Sequence, residues 1–262
     1  MATGKYTEIE FCIMATGEAE VDATYEFRLT KAAWVPTFIG GCKLWLRSDL
    51  AWQDAAKTVP CTDSSLIWTG EDKSGSVNDV VQATEAARLV YLINQINSIY
   101  PVWRLDGSDD CMARVGLTGG AIAQPTTFFL VVKIISTTAN ATLFDVRNGY
   151  AGGDRQALYR YSDGNMYTYA GSQVSLGAVG NGTWFTIIMQ YNGASSIFRI
   201  NGSEQIINPG ANGFDGITIG ADYTGIAQFA NMDLADFALY GDVSGTDILL
   251  LENYAKTRYA HY

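Results

Sequence analysis

The feature that most constrains this chain is its turn chemistry. Asn-Gly occurs at 148–149, 181–182, 192–193, 201–202 and 212–213, and Asp-Gly at 106–107, 163–164 and 215–216. Such pairs tolerate positive φ at both central positions of a two-residue hairpin turn, where most L side chains are strained. From Asn181 the Asn-Gly spacing is 11, 9 and 11 residues, the rhythm of an antiparallel meander. Segments of strand composition fill the intervals: Thr126–Ile135, Ala141–Val146, Thr183–Tyr191, Ser195–Ile200 and Glu204–Ile207. Ala157–Tyr161, a Ser-Asp-Gly-Asn turn and Met166–Tyr169 read as one hairpin. These signals predict an all-β chain.

Three stretches stand apart. Thr84–Ser98 carries Ala86, Val90, Ile93 and Asn97 at helical spacing, while Leu89–Ile93 within it also suits a short strand. Near the C-terminus, Ser244-Gly245-Thr246-Asp247 supplies cap residues, and Ile248, Leu251, Tyr254 and Ala255 follow on one helical face. A short helix is expected there, ending at Lys256–Arg258, where positive charge suits the dipole. The first 38 residues alternate polar and apolar over Thr7–Met14 and Thr24–Thr30. Two strands cannot fold alone, so residues 1–38 are expected to be a strand arm that pairs with the main domain or another chain. Trp34-Val35-Pro36 would connect it to a domain over 39–262.

Charge and composition remove several functions. Lys plus Arg number 17 and Asp plus Glu 27, a formal charge of −10, with no basic stretch for nucleic acid to pair with. A single histidine, His261, leaves no imidazole for a catalytic triad or a multi-histidine metal site. No apolar run is long enough for a membrane span, and the first residues carry no visible signal peptide. Cys12, Cys42, Cys61 and Cys111 lack zinc spacing and, without an export signal, are expected to be reduced and buried. The sequons at Asn140, Asn181 and Asn201 then read as turn chemistry.

From Gly41 onward, four pieces occur in a telling order. They are Leu44-Trp45-Leu46-Arg47-Ser48-Asp49; Trp68 with Asp72-Lys73-Ser74-Gly75-Ser76-Val77-Asn78-Asp79; Pro101-Val102-Trp103-Arg104-Leu105-Asp106-Gly107-Ser108-Asp109-Asp110; and Asp233–Tyr240. In this order the chain resembles the laminin G-like or concanavalin A-like jelly roll, in the variety found in phage virion and bacterial surface proteins. The resemblance implies an antiparallel jelly-roll β-sandwich with a short C-terminal helix, and makes Leu89–Ile93 a strand. It implies fold and not function, because jelly rolls host lectins, glycosidases and structural modules.

Three chemistries are compatible with the residues. Glu18, Glu20 and Asp22 alternate, and same-face strand neighbours lie roughly 6.6–6.8 Å apart, near the roughly 5–5.5 Å of a retaining glycosidase pair. The further acid that sugar hydrolases of this fold place next is Thr24 here, and the segment precedes the jelly roll, so a solvated acidic loop is expected and no enzyme. Rim loops of such domains often hold calcium on carboxylate and carbonyl oxygens, which nominates Asp72, Asn78, Asp106, Asp109 and Asp110; the competing reading is acids that stabilise turns. Tyr159 and Tyr161 share one strand face, and Tyr167 and Tyr169 the facing one, a ladder that could stack sugars or simply brace a sheet. Trp68 and Trp184 would extend a glycan surface if they converge with it.

The functional expectation is a non-enzymatic phage virion protein, a capsid decoration or tail component made in the host cytoplasm. It would dock on other virion proteins through residues 1–38 as a homo-oligomer and present a lectin-like domain to host glycans on the virion surface. The alternative is a carbohydrate-binding adhesion module of a bacterial surface protein.

Overall fold

A computed structural model describes residues 34–136, 140–147 and 155–262. The chain divides into two compact units, Met1–Val35 and Pro36–Tyr262. The arm strands expected within residues 1–38, together with Cys12 and the Glu18, Glu20 and Asp22 acids, lie outside the described residues.

The second unit is built of antiparallel strands. In chain order they are β1 (Cys42–Trp52), β2 (Thr69–Asp72), β3 (Val80–Val81), β4 (Val90–Ile96), β5 (Tyr100–Asp106) and β6 (Met112–Arg114). Next come β7 (Thr126–Ser136), β8 (Ala141–Asp145), β9 (Ala157–Arg160), β10 (Asn165–Tyr169) and β11 (Gln173–Ala178). The last are β12 (Trp184–Tyr191), β13 (Ser196–Ile200), β14 (Ser203–Ile207), β15 (Ile217–Ile219) and β16 (Asn231–Tyr240), followed by helix α1 (Gly245–Tyr259). The strand within Thr84–Ser98 is β4, preceded by a single helical turn at Glu85–Ala87.

Neighbouring strands follow the path β11-β10-β9-β8-β15-β6-β3-β2-β1-β16-β7-β12-β13-β14, with β5 beside β16 and β4 beside β5. Phe128 of β7 stacks on Phe144 of β8 at 4.3 Å between centroids. Those strands are far apart on the path, so the sheet folds over between them into two facing layers. Phe214, Phe237 and Tyr191 meet Phe128 edge-on in the same core. This is the jelly-roll sandwich that the order of motifs implied, with its C-terminal helix.

β16 is the centre of its layer. One edge pairs with β7, while the other pairs first with β5 and then with β1. Its run NMDLADFALY is buried almost throughout, as a strand covered on both faces demands. Its two acids are compensated. Asp233 meets Arg104 at 2.6 Å and Lys133 at 2.7 Å. Asp236 accepts hydrogen bonds from Trp45 Nε1, Tyr254 and Tyr259 at 2.8–2.9 Å, which ties α1 to the outer face.

The turn pairs vary in detail. Asn201 and Gly202 both have positive φ, 49° and 84°, the two-residue hairpin geometry between β13 and β14. At 106–107, 163–164, 181–182 and 192–193 only the glycine does. Cys42, Cys61 and Cys111 are free thiols, and burial pushes Cys42 and Cys61 up to about 12. Among the described residues no helix is long and apolar enough to cross a membrane.

Candidate functional site

The expected calcium ligands fall into two groups. Asp72 receives Trp45 N and Ser74 N on one carboxylate oxygen, and Ser74 Oγ and Asn78 N on the other, at 2.8–2.9 Å. Asn78 accepts from Thr118 N and donates to Lys43 O. Both side chains are consumed in latching the 72–79 loop to β1 and to the 116–120 turn.

Asp106, Asp109 and Asp110 do gather, with carboxylate oxygens within 4.8 Å of one another. Asp106 caps Ser108 N, and Asp110 accepts from Asp106 N. Burial, then the neighbouring carboxylates Asp106 and Asp109, push Asp110 up to about 7. These oxygens are chemically suited to a hard divalent cation such as calcium and equally serve the turn.

The tyrosines converge in part. Tyr159 and Tyr167 are directly opposite in the β9–β10 ladder, and their rings stack at 6.1 Å with 13° between planes. Tyr161 closes the cluster, 5.1 Å from Tyr159 and 4.7 Å from Tyr167. Leu158 and Met166, the alternating neighbours, join the core, so the tyrosines occupy the outer face. Tyr159 is buried beneath, while Tyr161, Tyr167 and Tyr169 are half-buried. The Tyr167 hydroxyl donates to Asp163.

Tyr169 takes part through a cation. The Arg155 guanidinium lies 5.6 Å from its ring and 5.1 Å from that of Tyr223, and is held by Asp145 in a buried ion pair. Burial raises the Asp145 carboxyl and Arg155 draws it back. The tryptophans do not join. Trp184 sits in the other layer, opposite Lys133, whose ammonium lies 5.0 Å from the ring. Trp68 precedes β2 and is covered by Arg88 at 4.2 Å.

Farther along the same outer face is a groove that no motif announced. Directly opposite residues share a face, and the pairs Asp145–Thr218, Thr218–Ala113 and Ala113–Val81 continue it from β8 through β15 and β6 to β3. Loop 222–229 lies over it: Tyr223 N donates to Asp145, and the Gln228 backbone carbonyl and side chain accept from Thr142. Between loop and strands is a cavity of about 520 Å³, lined in part by Val81, Asp109, Ala113, Arg147, Ile226 and Phe229. Contributions from positions 81, 109–113, 147 and 224–229 leave no local pattern for sequence reasoning to find.

Neither a described protein family nor a curated protein matches the chain. Solved structures match in fold. The botulinum neurotoxin serotype D ligand binding domain, in complex with N-acetylneuraminic acid, superposes with a TM-score of 0.54 and 16% identity, over 83% of this chain and 52% of that one. For Trypanosoma rangeli sialidase in complex with sialic acid the TM-score is 0.53 and the identity 9%, over 84% and 33%. Domain 4 of AbnA, a GH43 extracellular arabinanase from Geobacillus stearothermophilus, in complex with arabinotriose, gives 0.50 and 11%, over 82% and 99%. The chain thus spans about half of the toxin domain and a third of the sialidase, but nearly all of the arabinanase domain. At such identities the likeness is one of fold.

Proposed function

We propose that the chain is a non-catalytic, lectin-like module that binds glycans on the tyrosine-bearing outer face. The observation that carries the reading is the convergence of Tyr159, Tyr161 and Tyr167 on a solvent-facing strand pair. A sugar ring stacks its C–H face on such a cluster. Support comes from the structural neighbours, one a toxin ligand binding domain with N-acetylneuraminic acid and one an arabinanase domain with arabinotriose. This favours a carbohydrate-binding adhesion module. Its carrier, a virion or a bacterial surface, and a mounting role for residues 1–38 in a homo-oligomer belong to the proposal on the order of sequence motifs alone.

A glycan array with the intact chain tests it. Retention of at least one oligosaccharide is expected, weakened about five- to tenfold by Tyr161→Ala or Tyr167→Ala if each ring contributes about 1–1.4 kcal/mol. Binding that ignores both substitutions removes the tyrosine face as the site. Absence of any retained glycan removes the function.

A further inference from the structure

We infer that the groove beneath loop 222–229 is a second subsite that reads the carboxylate of an acidic sugar, with Arg147 as the anion contact. This inference rests on the glycan-binding reading and adds a ligand class to it. The groove's volume, about 520 Å³, falls among the roughly 300–1,000 Å³ of small-molecule sites.

The charge pattern is what singles out an acid. Within a chain of net charge −10, Arg47, Arg104, Arg155, Arg199 and Arg258 each meet a carboxylate. Arg88, Arg114 and Arg147 meet none among the described residues, and of these three only Arg147 lines the groove. Its one hydrogen bond there is to Tyr223 O at 3.3 Å. A guanidinium carries five N–H donors in a planar fork that matches a carboxylate bidentately. Most of that fork is therefore open to a ligand.

The arginine also packs against two glycines. Gly216 and Gly225 both have positive φ, 65° and 72°. A Cβ at Gly216 would lie 3.1 Å from Arg147 Cβ, and one at Gly225 only 2.5 Å from Nη1. Gly225 thus lets loop 222–229 approach the guanidinium closely, while at Gly216 the nearer contacts are Arg114 O and Gly116 N, both at 2.8 Å.

The remaining lining distinguishes a sugar acid from other anions. Asp109 lines the same groove and stands in the carboxylate cluster with Asp106 and Asp110. A doubly charged phosphate would be repelled there, whereas the hydroxyls of a monoanionic sugar can donate to Asp109. Val81 and Ile226 are 43% and 77% exposed at the groove and offer apolar surface to a ring or an N-acyl methyl. Loop 222–229 also links the subsite to the tyrosines, since the Tyr223 carbonyl accepts from Arg147 and the Tyr223 ring shares Arg155 with Tyr169.

Calorimetric titration of the full chain tests this with glucuronic acid, N-acetylneuraminic acid, their methyl esters and inorganic phosphate. The acids should bind at least tenfold more tightly than the esters, and more tightly than phosphate. Arg147→Met should abolish that preference, and Arg147→Lys should restore part of it, with unchanged circular dichroism. Equal binding of acid and ester to the native chain overturns the inference without relying on any variant. So does phosphate competing as well as the acids. Acid binding that survives Arg147→Met but is lost in Tyr161→Ala overturns the subsite and leaves the glycan-binding reading standing. If neither acidic nor neutral sugars bind, both fall together.

Discussion

Three titratable groups make the folded state sensitive to mild acid, in opposing directions. Asp236 is fully buried and desolvation pushes it up to about 6; Asp110 is pushed up to about 7. Each is protonated in the folded chain where the unfolded chain has already lost the proton, so their contribution to stability falls as pH rises from about 4 through the folded values. For Asp236 the penalty reached above pH 6 is about 3 kcal/mol. His261 works the other way. Burial lowers it to about 4, so the stability linked to its neutral form is lost as pH falls from about 6.5 toward 4. Denaturant titrations from pH 4 to 8 should therefore show stability falling by about 1.4 kcal/mol per pH unit below pH 6, where two raised carboxyls outweigh one histidine, and a shallower decline from pH 6 to 7 carried by Asp110. In Asp110→Asn that upper decline should vanish; its persistence would reassign it. Strained glycine is the other residue-scale feature. Gly210 has φ +100°, and a Cβ there would lie 2.3 Å from Ala170 O. Gly210→Ala should cost about 2–4 kcal/mol, from the φ penalty plus overpacking. A midpoint shift under 0.5 kcal/mol would show that the 208–212 loop moves aside freely.

Helix α1 shows how an element forms for reasons written locally and is held for reasons that are not. Ser244 has extended φ and ψ, and its hydroxyl accepts from Asp247 N, the expected N-cap. Ser244→Ala should cost about 1 kcal/mol in equilibrium unfolding, and no measurable loss would mean docking alone sets the helix start. Docking comes from partners remote in sequence. Arg199 of β13 grips Glu252 at 2.8 and 3.0 Å, and Tyr254 and Tyr259 donate to Asp236 of β16. The 72–79 loop makes the same distinction. Its Asp, Ser and Asn residues were legible as a rim loop, but the chain order alone leaves their oxygens free for either a cation or backbone N–H groups. In the fold, Trp45 N from β1 reaches Asp72 and Thr118 N from a distant turn reaches Asn78, contacts that the loop's own sequence does not reveal.

At the scale of the whole molecule, two sheet layers share one aromatic core centred on Phe128, which touches Phe144, Tyr191, Phe214 and Phe237. Phe128→Ala should lower unfolding free energy by about 3–5 kcal/mol, with fluorescence and circular dichroism transitions moving together. Separate transitions would show that the layers unfold independently. Most strands were legible because alternation and Asn/Asp-Gly turns act within about ten residues. β11 was not, since Gln173–Ala178 is short, buries only Leu176 in the core and is bulged against β10, so its pairing more than its composition makes it a strand. The tyrosine cluster was half legible. Period-two alternation put Tyr159, Tyr161, Tyr167 and Tyr169 on one face, and the β9–β10 register then stacked three of them, while layer assignment sent Trp184 to the opposite sheet. Local sequence thus determined the all-β class, the turns, the terminal helix and the sidedness of each hairpin, because these depend on φ preferences and burial patterns between near neighbours. Only the tertiary structure decided which acids cap loops, which aromatic rings meet, and that Arg147 lines a groove without an ion pair of its own among the described residues. Those outcomes follow from contacts between strands remote in the chain, where geometry and electrostatic pairing are settled by the folded whole.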